Sequence, residues 1–574
     1  RFIKIICLTH KGLILMEDNV LGYECKHAIW CPAVGDNPND LTLVKENIHY
    51  KDGTIKPNVR LIKNNKRDFY ITKREFRNHS DKKEYEDVNK LQKFTCTESE
   101  LPKAISRALG TPGLKTTVKR LAKSPYLYGC DISSTAIIKH NYMTKFPDLN
   151  SSNTVAALDI ETDVVKGHEK PIMIALTFGN KRIISIVESF LEGMNDVEGK
   201  MRKLFTKYLS QYENPDTELI IDIAKTPGNS IKNVIMKAHE WKPDIIAIWN
   251  INFDLPKMND CLEKEGFRLA DIYSDPSIPP IMRHAKYVRG NHQKKKSNGQ
   301  ITPIHWTEQW HVMECPSSFY FVDAGCVYRR IRVAKGMEPS YALDAILDKN
   351  LGIRKLKFDD ILENEAPHIR SGSLAWHQFM QTNYKLEYAI YNLFDCISLE
   401  ELDKKTKDLS LTMSVLCEHS DYRNFSSQPR RIVDDLHFFV QNYGKVIGTT
   451  SDDMSDELNE FVTSLSGWIV TLPSHLVADN GLQAIEELPN VRTGIRTNVY
   501  DLDVAGTYPT VEDIFNISKE TTYRELSQIR DIPDNIRRSV GVNFSGGIVN
   551  AVEICCNIYK LPTFNDLLND FNSI

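Results

Sequence analysis

The chain has 574 residues, enough for about three or four domains that each bury a core. Hydrophobic residues make up 41% and charged residues 26%, as in ordinary soluble globular proteins, and the formal net charge is −4. No apolar run approaches the ~18 residues that cross a bilayer, and no charged-then-apolar leader stands at the start, so we expect neither a membrane nor a secreted protein. Because the net charge is slightly negative, any surface that binds nucleic acid must be local.

The cysteine pattern bears on the cellular location of the protein, and the first residue bears on whether the chain is processed. Twelve cysteines are scattered without a Cys-x-x-Cys pair, which predicts reduced, mostly buried thiols rather than zinc sites or disulfides. This usage is typical of an intracellular protein, so we expect a cytoplasmic location. Because the sequence begins at Arg1 rather than Met, we expect it to be an internal or processed piece.

Residues 1–150 predict an amino-terminal domain. Short β-rich runs, such as the one at 2–8, alternate with turn-rich, charged stretches. A helix is predicted from Glu100 to about Leu109, because Gly110 provides a usual helix end.

Residues 151–410 predict an α/β domain. Apolar runs there predict buried strands, and an amphipathic pattern predicts a helix between them. The strands are predicted at Val155–Ile160, Pro171–Phe178, Arg182–Val187 and Asp244–Trp249, the helix at Ile231–Trp241, and mainly helical structure at 375–410. This order is typical of an α/β sheet with acidic residues at strand ends. Residues 411–574 form the third predicted domain, with connecting helices, a strand at 500–503 and a helix from about Thr510.

Asp159 and Glu161 form the first acidic motif. They stand two apart on a predicted strand, so both side chains leave the same face. Two carboxylates on one face of a buried strand repel each other, and a divalent cation relieves that repulsion. The alternative is a solvated strand end, since Asp-x-Glu alone is a weak signal. The apolar residues around the pair favour the buried strand, and with it the metal site.

Asp254 and Asn250 form the second motif, around the predicted strand-to-turn segment Ile248–Phe253. In the functional interpretation Asp254 is a third carboxylate at the same end of the sheet, and Asn250 hydrogen-bonds a phosphate or a sugar. The alternative is an Asx turn, because Asn and Asp often stand where strands end.

Tyr391 and Asp395 form the third motif. They lie four residues apart on a predicted helix and therefore on one face. Asp395 would be the fourth carboxylate, and Tyr391 would place its hydroxyl beside an attacking water. The alternative is a core helix that happens to carry a tyrosine, because Tyr388 and Leu393 give this helix apolar faces.

The three motifs are more informative together than apart. Two Mg²⁺-type ions roughly 4 Å apart need about four carboxylates, and oxygen ligands suit hard cations such as Mg²⁺ or Mn²⁺. One ion would activate a water and the other would hold the leaving oxygen of a phosphodiester. The residues expected to bind the two ions are Asp159, Glu161, Asp254 and Asp395.

The motifs have the forms Asp-x-Glu, Asn-x-x-Phe-Asp and Tyr-x-x-x-Asp, and in this order they resemble the exonuclease motifs of phage-type family B DNA polymerases. Ser340–Asp344 resembles the Ser-[Tyr/Phe]-x-Leu segment that precedes the third motif in that family. The resemblance covers roughly residues 100–560. It implies a ribonuclease H-like fold and a proofreading 3′–5′ exonuclease that removes mispaired nucleotides from a primer.

Asp503–Pro509 resembles the first palm motif of the same family, usually Asp-x-x-Ser-Leu-Tyr-Pro. By this resemblance Asp503 would bind the metals of a polymerase site, and Tyr508 would stack beneath the sugar of a dNTP and exclude a 2′-hydroxyl. The segment 516–521 is similar to a stretch of T-even-type phage polymerases. Ala505-Gly506-Thr507 departs from the family pattern. The alternative is an ordinary strand end followed by a turn.

Two further family patterns are missing between Pro509 and Ile574: the fingers motif that binds the triphosphate, and the Asp-Thr-Asp palm hairpin. We therefore expect that this chain alone does not polymerise. Either a second chain supplies the fingers, the remaining palm and the thumb, or the sequence is incomplete. The expected partners are that chain, dNTPs, DNA as primer-template and as a single-stranded 3′ end, and, as a further candidate, a sliding clamp.

A basic stretch follows the second motif. Its members are Arg283, Lys286, Arg289, Lys294, Lys295 and Lys296. In the functional interpretation this loop contacts the backbone of the single strand that enters the nuclease cleft. The alternative is a solvated loop. Phe253, Tyr320 and Phe321 could stack on unpaired bases or could belong to the core.

Three functions follow from these patterns. The first is a segment of a family B DNA polymerase with a proofreading exonuclease, in the cytoplasm of the host cell if the chain is viral. The second is a stand-alone 3′–5′ exonuclease whose palm remnant only binds DNA. The third is a non-catalytic scaffold for nucleic acid. All four carboxylates and the tyrosine are present, which favours an enzyme.

Overall fold

The structure is a computed structural model. It describes residues 19–35, 39–80, 82–111, 117–295 and 300–449, with Lys295 described by its backbone only, and short backbone segments at 7–9, 12–14, 510, 514, 543–544 and 547–548. The chain divides into two compact units, Arg1–Glu457 and Leu458–Ile574. Nearly all described residues belong to the first unit, and the fold below is the fold of that unit.

The amino-terminal part of the first unit consists mainly of antiparallel strands. Its strands are β1 (Cys7–Thr9), β2 (Gly12–Ile14), β3 (Val20–Cys31), β4 (Leu41–Tyr50), β5 (Ile55–Lys63), β6 (Lys66–Thr72), β7 (Tyr85–Asp87), β8 (Leu91–Thr97) and β9 (Leu127–Tyr128). Its helices are α1 (Leu101–Leu109), α2 (Val118–Leu121) and α3 (Ser134–Lys145). Strands β3, β4 and β5 form one sheet, and β6, β8 and β9 form another.

The central part alternates strands and helices. Its strands are β10 (Val155–Thr162), β11 (Pro171–Phe178), β12 (Lys181–Val187), β13 (Glu218–Ala224), β14 (Ile245–Ile248), β15 (Lys286–Val288), β16 (Gln293–Lys295), β17 (Ile301–Pro303), β18 (Val312–Glu314) and β19 (Tyr320–Asp323). Its helices are α4 (Val197–Leu209), α5 (Pro227–Trp241), α6 (Ile251–Lys264), α7 (Leu269–Tyr273), α8 (Ala324–Ile331), α9 (Leu343–Leu351), α10 (Asp359–Glu365), α11 (Leu374–Asn383) and α12 (Lys385–Thr406).

A π-helical turn, two helices and a strand complete the first unit. They are the turn Asp408–Thr412, α13 (Met413–Cys417), α14 (Gln428–Gln441) and β20 (Lys445–Ile447). In the second unit the structure describes a short antiparallel pair, β21 (Asn543–Phe544) and β22 (Gly547–Ile548).

A six-stranded mixed sheet organises the central part, so the fold is α/β. Its strand order is β13-β12-β11-β10-β14-β19, and β11 alone runs antiparallel to the other five. Val155 pairs with Ile245 and Ala157 with Ala247 across the parallel β10–β14 contact. The carboxyl ends of β10, β14 and β19 therefore meet at one edge of the sheet, and the acidic residues that follow them are brought together.

The two faces of this sheet bury separate cores, as the two-residue period of a strand requires. Ala157, Met173 and Ala175 face a core built with α4, α8, α9 and α12. Leu158 and Ile160 face the opposite core, built with α5 and α6. Asp159 and Glu161 share the face of Ala157, so they point toward α12. Helix α12 lies almost wholly buried over the sheet, and this explains why its sequence shows no simple apolar stripe.

Most predicted elements of the central part are confirmed. Strand β11 has the predicted bounds, and β10, β12 and β14 differ from the predictions by one or two residues at an end. Helix α1 ends at Gly110 in the left-handed conformation, as predicted. The prediction for residues 248–254 was wrong: a helix, α6, begins at Ile251, so Asp254 lies in its first turn and not in a strand-to-turn segment. Strands β13 and β19 were not predicted.

Two further predictions can be compared with the described residues. Within the described residues, no helix combines the length and the apolar character that a membrane span requires. The nine cysteines whose side chains the structure describes are free thiols, and only Cys25 among them is not fully buried. The strand at 500–503 and the start of the helix near Thr510 lie outside the described residues, apart from Thr510 itself.

Candidate metal centre

Three of the four predicted carboxylates meet on the α12 face of the sheet. Asp159 and Glu161 extend from β10, and Asp395 extends from α12, which crosses that face. One ligand atom from each lies within 4.8 Å of the others. Asp395 is only 3% exposed, while Asp159 and Glu161 are half-buried. The two acidic motifs, more than 230 residues apart in the sequence, thus form one cluster.

Asp254 reaches the same strand from the side. Its carboxyl lies near the backbone N–H of Ile160, the residue between Asp159 and Glu161, and this N–H opposes the rise in its pKa. The side chain is 4% exposed. Asp254 does not belong to the group of three within 4.8 Å, but its charge interacts with those of Asp159 and Glu161. The fourth carboxylate therefore borders the cluster.

The pKa values of these acids reflect their crowding. Burial, together with the charge of Asp395, raises the pKa of Asp159 to about 7. Burial and then the charge of Asp159 raise the pKa of Glu161 well above its usual range, and burial followed by both charges does the same for Asp254. Burial also raises the pKa of Asp395, but Lys355 opposes that effect. The protein thus holds acids that a nearby cation would ionise.

Lys355 is a site residue that the sequence analysis did not identify. Its ammonium donates to Asp395 Oδ2 at 2.6 Å and to the Tyr391 hydroxyl at 3.1 Å. Burial alone would lower the pKa of Lys355, yet the charges of Asp395, Tyr391 and Asp159 hold it well above its usual value. Lys355 is therefore a permanent cation within the acidic cluster. It forms an ion pair with Asp395, whereas Asp159, Glu161 and Asp254 form no ion pair with any described residue.

Tyr391 lies where the motif predicts, on the same face of α12 as Asp395. Its side chain is buried, and burial and the charge of Asp395 raise its pKa well above the usual value. The hydroxyl therefore stays protonated at neutral pH. It accepts from Lys355 and lies close enough to Asp395 to lower the pKa of that carboxyl. A protonated hydroxyl here can donate to a water or to a phosphate oxygen.

Two polar side chains of α12 hold the carboxylates of β10. Asn392 Nδ2 donates to Asp159 Oδ2 at 2.7 Å, and the Tyr388 hydroxyl donates to Glu161 Oε2 at 2.5 Å. The sequence analysis assigned Tyr388 to the apolar face of a core helix, and it is indeed fully buried. A hydroxyl in a core has the same sequence pattern as a packing residue, which is why its polar role was missed.

Asp323, at the end of β19, anchors the helix that carries Asp254. Its Oδ2 accepts from the backbone N–H of Ile251, the first residue of α6, at 3.1 Å. Its Oδ1 accepts from Cys326 N at 2.8 Å and so caps α8. Burial raises the pKa of Asp323 to about 7, although these hydrogen bonds oppose the shift. One buried carboxyl thus ties the start of two helices to the carboxyl edge of the sheet.

The donor set fits a hard divalent cation. Carboxylate oxygens are the ligands that Mg²⁺ and Mn²⁺ prefer. Asp395 Oδ1 is buried and has no hydrogen-bond partner within the described part of the chain, so it is an oxygen with an unused lone pair. The mutual repulsion of the acids would also be relieved by positive charge. Asp159, Glu161 and Asp395 could hold one ion directly, and Asp254 borders this group.

A cleft of about 750 Å³ adjoins the cluster, because Lys355 and Tyr391 line it. Three further cationic side chains line the same cleft: Arg354, Lys357 and Arg370. Asp344 and Asp359 also line it, and Arg354 and Lys357 pair with Asp344. Cations still outnumber acids in the lining, which suits a polyanion.

The residues predicted to contact DNA differ in their surroundings. Phe253 is 46% exposed, so its ring is available for stacking beside Asp254. Lys257 Nζ covers one face of the ring, 3.6 Å from its centre. Tyr320 and Phe321 are core residues of β19. Asn250 is the half-buried N-cap residue of α6, and its side chain makes no capping hydrogen bond.

The basic stretch is only partly a free surface. Arg283 donates to Ile278 O and Pro276 O and pairs with Asp271, so its role is structural. Arg289 and Lys294 are exposed, as is Lys286. Lys294 and Lys295 belong to β16, which pairs with β17, whereas a flexible loop was expected there. The side chain of Lys295 and the whole of Lys296 lie outside the described residues, as do the palm-motif residues Asp503 and Tyr508.

A second group that could hold a metal ion comprises Glu418, His419 and Asp435. His419 Nδ1 lies 2.9 Å from Asp435 Oδ1, and Glu418 is exposed. A surface ion pair with a neighbouring acid accounts for this arrangement. It therefore gives no independent support for a second metal centre.

No family model matches the sequence, and a search of curated proteins found no match. The functional interpretation therefore rests on the residues and their geometry.

Proposed function

We propose that this chain carries a 3′–5′ exonuclease that removes nucleotides from the 3′ end of a DNA strand with the help of two divalent metal ions. The observation that carries the proposal is the meeting of Asp159, Glu161 and Asp395 within 4.8 Å, with Asp254 near enough for its charge to interact with those of the first two. We further propose that the six-stranded sheet is the ribonuclease H-like sheet that the family resemblance implies. Its support is the placement of the acids at one edge of a mixed sheet.

The carboxylates would hold Mg²⁺ or Mn²⁺, which supplies Lewis acidity and lowers the pKa of a water at the cleavage site. Asp159 and Asp395, drawn from two different elements, fix the position of this centre relative to the sheet. Asp254 would extend it toward a second ion. Asn392 holds the Asp159 carboxylate in place and so reduces the reorganisation that ion binding requires.

Tyr391 and Lys355 would act on the scissile phosphate and its attacking water. The protonated hydroxyl of Tyr391 can orient a water by hydrogen bonding, and the Lys355 ammonium presents positive charge on the cleft wall. A fixed cation beside a phosphate lowers the energy of the negative charge that develops during displacement. Phe253 would stack on the terminal base, and Arg289 and Lys294 would contact the strand farther from the site.

The wider assignment is also a proposal. The chain would be a segment of a phage-type family B DNA polymerase, in which Asp503 and Tyr508 belong to a palm that a partner chain completes. DNA and dNTPs would be its ligands. Of the alternatives from the sequence, a scaffold would not shorten DNA in a digestion assay, whereas a stand-alone exonuclease would shorten it as this segment would.

The experiment is digestion of a primer with a mismatched 3′ end by the purified full chain and Mg²⁺. We expect shortening from the 3′ end, and loss of more than about 100-fold of this activity in Asp159→Asn, because loss of a ligand should exceed the effect of losing a residue that only supports one. Binding of single-stranded DNA should be largely retained. Asp260→Asn, which changes an exposed acid on α6, is the matched control.

Two results would contradict the proposal. A wild-type chain that binds single-stranded DNA but never shortens it would favour the scaffold. Equal loss of binding and of digestion in Asp159→Asn would show that this residue acts only through the fold.

A further inference from the structure

Glu161 is the end of a chain of hydrogen bonds that leads out of the acidic cluster. Its Oε2 accepts from the Tyr388 hydroxyl at 2.5 Å. That hydroxyl lies 2.8 Å from Nδ1 of His377, a residue of α11. Tyr388 is fully buried, whereas His377 is half-buried and lines the 750 Å³ cleft. The contacts thus connect a carboxylate of the centre with the wall of the cleft.

The direction of these hydrogen bonds follows from counting protons. A tyrosine hydroxyl has one hydrogen and can accept from a second group. When a bound cation ionises Glu161, the carboxylate only accepts, so Tyr388 must donate to it and His377 must donate from Nδ1. Burial and the charge of Lys355 lower the pKa of His377 to about 4, so the ring is neutral at pH 7. Its single ring hydrogen is then on Nδ1, and Nε2 is an acceptor.

Packing prevents the hydroxyl of Tyr388 from turning away. Its ring stacks on that of Tyr391, with centres 5.6 Å apart and planes inclined by 13°. Trp376 packs against both rings, at 6.0 Å from Tyr388 and 5.2 Å from Tyr391. The three aromatic side chains form a rigid wall beside the carboxylates. A hydrogen bond from such a wall fixes the orientation of Glu161 at little cost in conformational entropy.

We propose that Tyr388 and His377 form a positioning pair that orients the Glu161 carboxylate for metal binding, which rests on the exonuclease function proposed above. Neither residue is a ligand in this proposal. Tyr388 acts on Glu161, and His377 acts on Tyr388 by occupying the acceptor site of its hydroxyl. Groups that hydrogen-bond metal ligands in this way raise metal affinity or activity about 10- to 100-fold in other proteins.

A purely structural role is the alternative. Glu161 would then serve only to satisfy a buried hydroxyl, and loss of that hydroxyl would change stability without changing metal affinity. The two interpretations therefore differ in a quantity that can be measured without turnover.

The test measures Mn²⁺ binding to the purified full chain from the paramagnetic resonance signal of free Mn²⁺. We expect Tyr388→Phe, which keeps the stacked ring, to weaken binding about 10- to 100-fold. The matched control is Tyr384→Phe: Tyr384 stands just before α12 and donates to Glu365 away from the centre, so binding should be unchanged. Excess Mn²⁺ should restore most of the digestion rate of Tyr388→Phe.

His377 provides a second, independent pair of variants. His377→Leu removes the donor and should weaken Mn²⁺ binding in the same direction as Tyr388→Phe. His377→Asn returns an N–H near the position of Nδ1 and should recover much of the loss. In the Tyr388→Phe background, His377→Leu should have almost no further effect, because the two residues act in series. If Tyr388→Phe does not fold, the comparison of Leu and Asn at position 377 decides.

The outcomes separate this proposal from the nuclease assignment. Suppose that the wild-type chain binds Mn²⁺ and digests DNA. If Tyr388→Phe and His377→Leu then bind Mn²⁺ as tightly as Tyr384→Phe does, the positioning pair is wrong, and the nuclease proposal is unaffected. If the wild-type chain neither binds Mn²⁺ nor digests DNA, both proposals fail together.

Discussion

The carboxylate of Asp344 accepts a hydrogen bond from the backbone N–H of Lys355 at 2.8 Å. Asp344 closes the segment Ser340–Asp344 and lies in the first turn of α9, whereas Lys355 lies in the loop that leads to α10. This contact fixes the backbone from which the Lys355 ammonium reaches Asp395 at 2.6 Å. The segment that resembles a family motif therefore has a physical role: it holds the loop that brings a cation to the acidic cluster.

Lys355→Met should slow digestion by about 10²- to 10³-fold, the usual effect of removing one fixed group that stabilises developing charge. The pKa of Asp395 should rise, because the opposing cation is lost. The defect should thus be largest at low pH. Rates measured from pH 6 to 9 test this. Lys349→Met, which removes an exposed lysine of α9, is the control, and equal rates in both variants would rule out a role for Lys355.

The acidic cluster of the metal-free chain should contribute less to stability as pH rises. The pKa of Asp159 is about 7 in the folded chain and about 3.9 when unfolded, so folding favours its protonated form. The stability gained in this way is complete below about pH 4 and is lost as pH rises through about 7. Glu161 and Asp254 shift in the same direction. Mg²⁺ should therefore raise the unfolding temperature more at pH 8 than at pH 5.5.

Thermal unfolding with Mg²⁺ or with a chelator, at both pH values, measures this difference. Asp159→Asn should show a smaller dependence of Mg²⁺ stabilisation on pH, since the variant lacks one of the titrating ligands. A wild-type chain that Mg²⁺ stabilises equally at the two pH values would mean that the cluster does not exchange protons for metal.

Asp323→Ala should reduce both stability and digestion. Loss of the N-cap of α8 costs about 0.5–2 kcal/mol, and a buried Ile251 N–H without a partner costs about 1–3 kcal/mol more. The start of α6 would then be released, and Asp254 with it. Denaturant unfolding and digestion measure the two effects. Asp196→Ala, which removes the exposed cap of α4, should cost only about 1 kcal/mol and leave digestion intact.

Phe253→Ala should weaken binding of single-stranded DNA by about 1–3 kcal/mol, the usual contribution of one base stacked on an aromatic ring. The measurement is fluorescence anisotropy of a labelled oligonucleotide in a chelator, so that no strand is cut. Tyr443→Ala removes another exposed aromatic side chain, remote in sequence from the motifs, and serves as the control. Affinities that fall equally in the two variants would indicate a non-specific effect.

The strand that carries the first acidic pair could be predicted because its signal is local. Apolar residues at 155–158 and 160 require a buried strand, and the period of two then places Asp159 and Glu161 on one face. The spacing of Tyr391 and Asp395 places them together in the same way on a helix. In both cases the geometry follows from residues that are neighbours in sequence.

Helix α6 could not be predicted, because its local signals favour a turn. Asn250, Asn252 and Asp254 are residues that often stand in turns, and Pro256 has no N–H to donate within a helix. Tertiary packing decides the outcome: Ile251, Leu255 and Met258 are buried in the core behind the sheet. Asp323 lies on a strand about seventy residues later, and its buried carboxyl accepts the hydrogen bond of the Ile251 N–H at the start of the helix.

A related reason explains why three further residues were not predicted: Lys355, Tyr388 and Asp323. Each acts through a partner that is distant in the sequence, and none belongs to a spacing that distinguishes it from an ordinary surface, core or loop residue. Lys355 lies forty residues before Asp395, and Tyr388 lies 227 residues after Glu161. A single sequence carries no signal for such pairs.

Strand β20 pairs with β7, so the segment just beyond α14 returns to the amino-terminal part of the chain. Tyr320 packs against Tyr422, and Arg332 pairs with Asp408, so the residues between α12 and α14 also contact the sheet region. A fragment of residues 151–410 would keep the ion pair of Arg332 with Asp408. It would lose the contact of Tyr422 with Tyr320 of the sheet. Laboratories seeking a minimal recombinant version for crystallisation should therefore begin no later than Val20 and stop no earlier than Thr449.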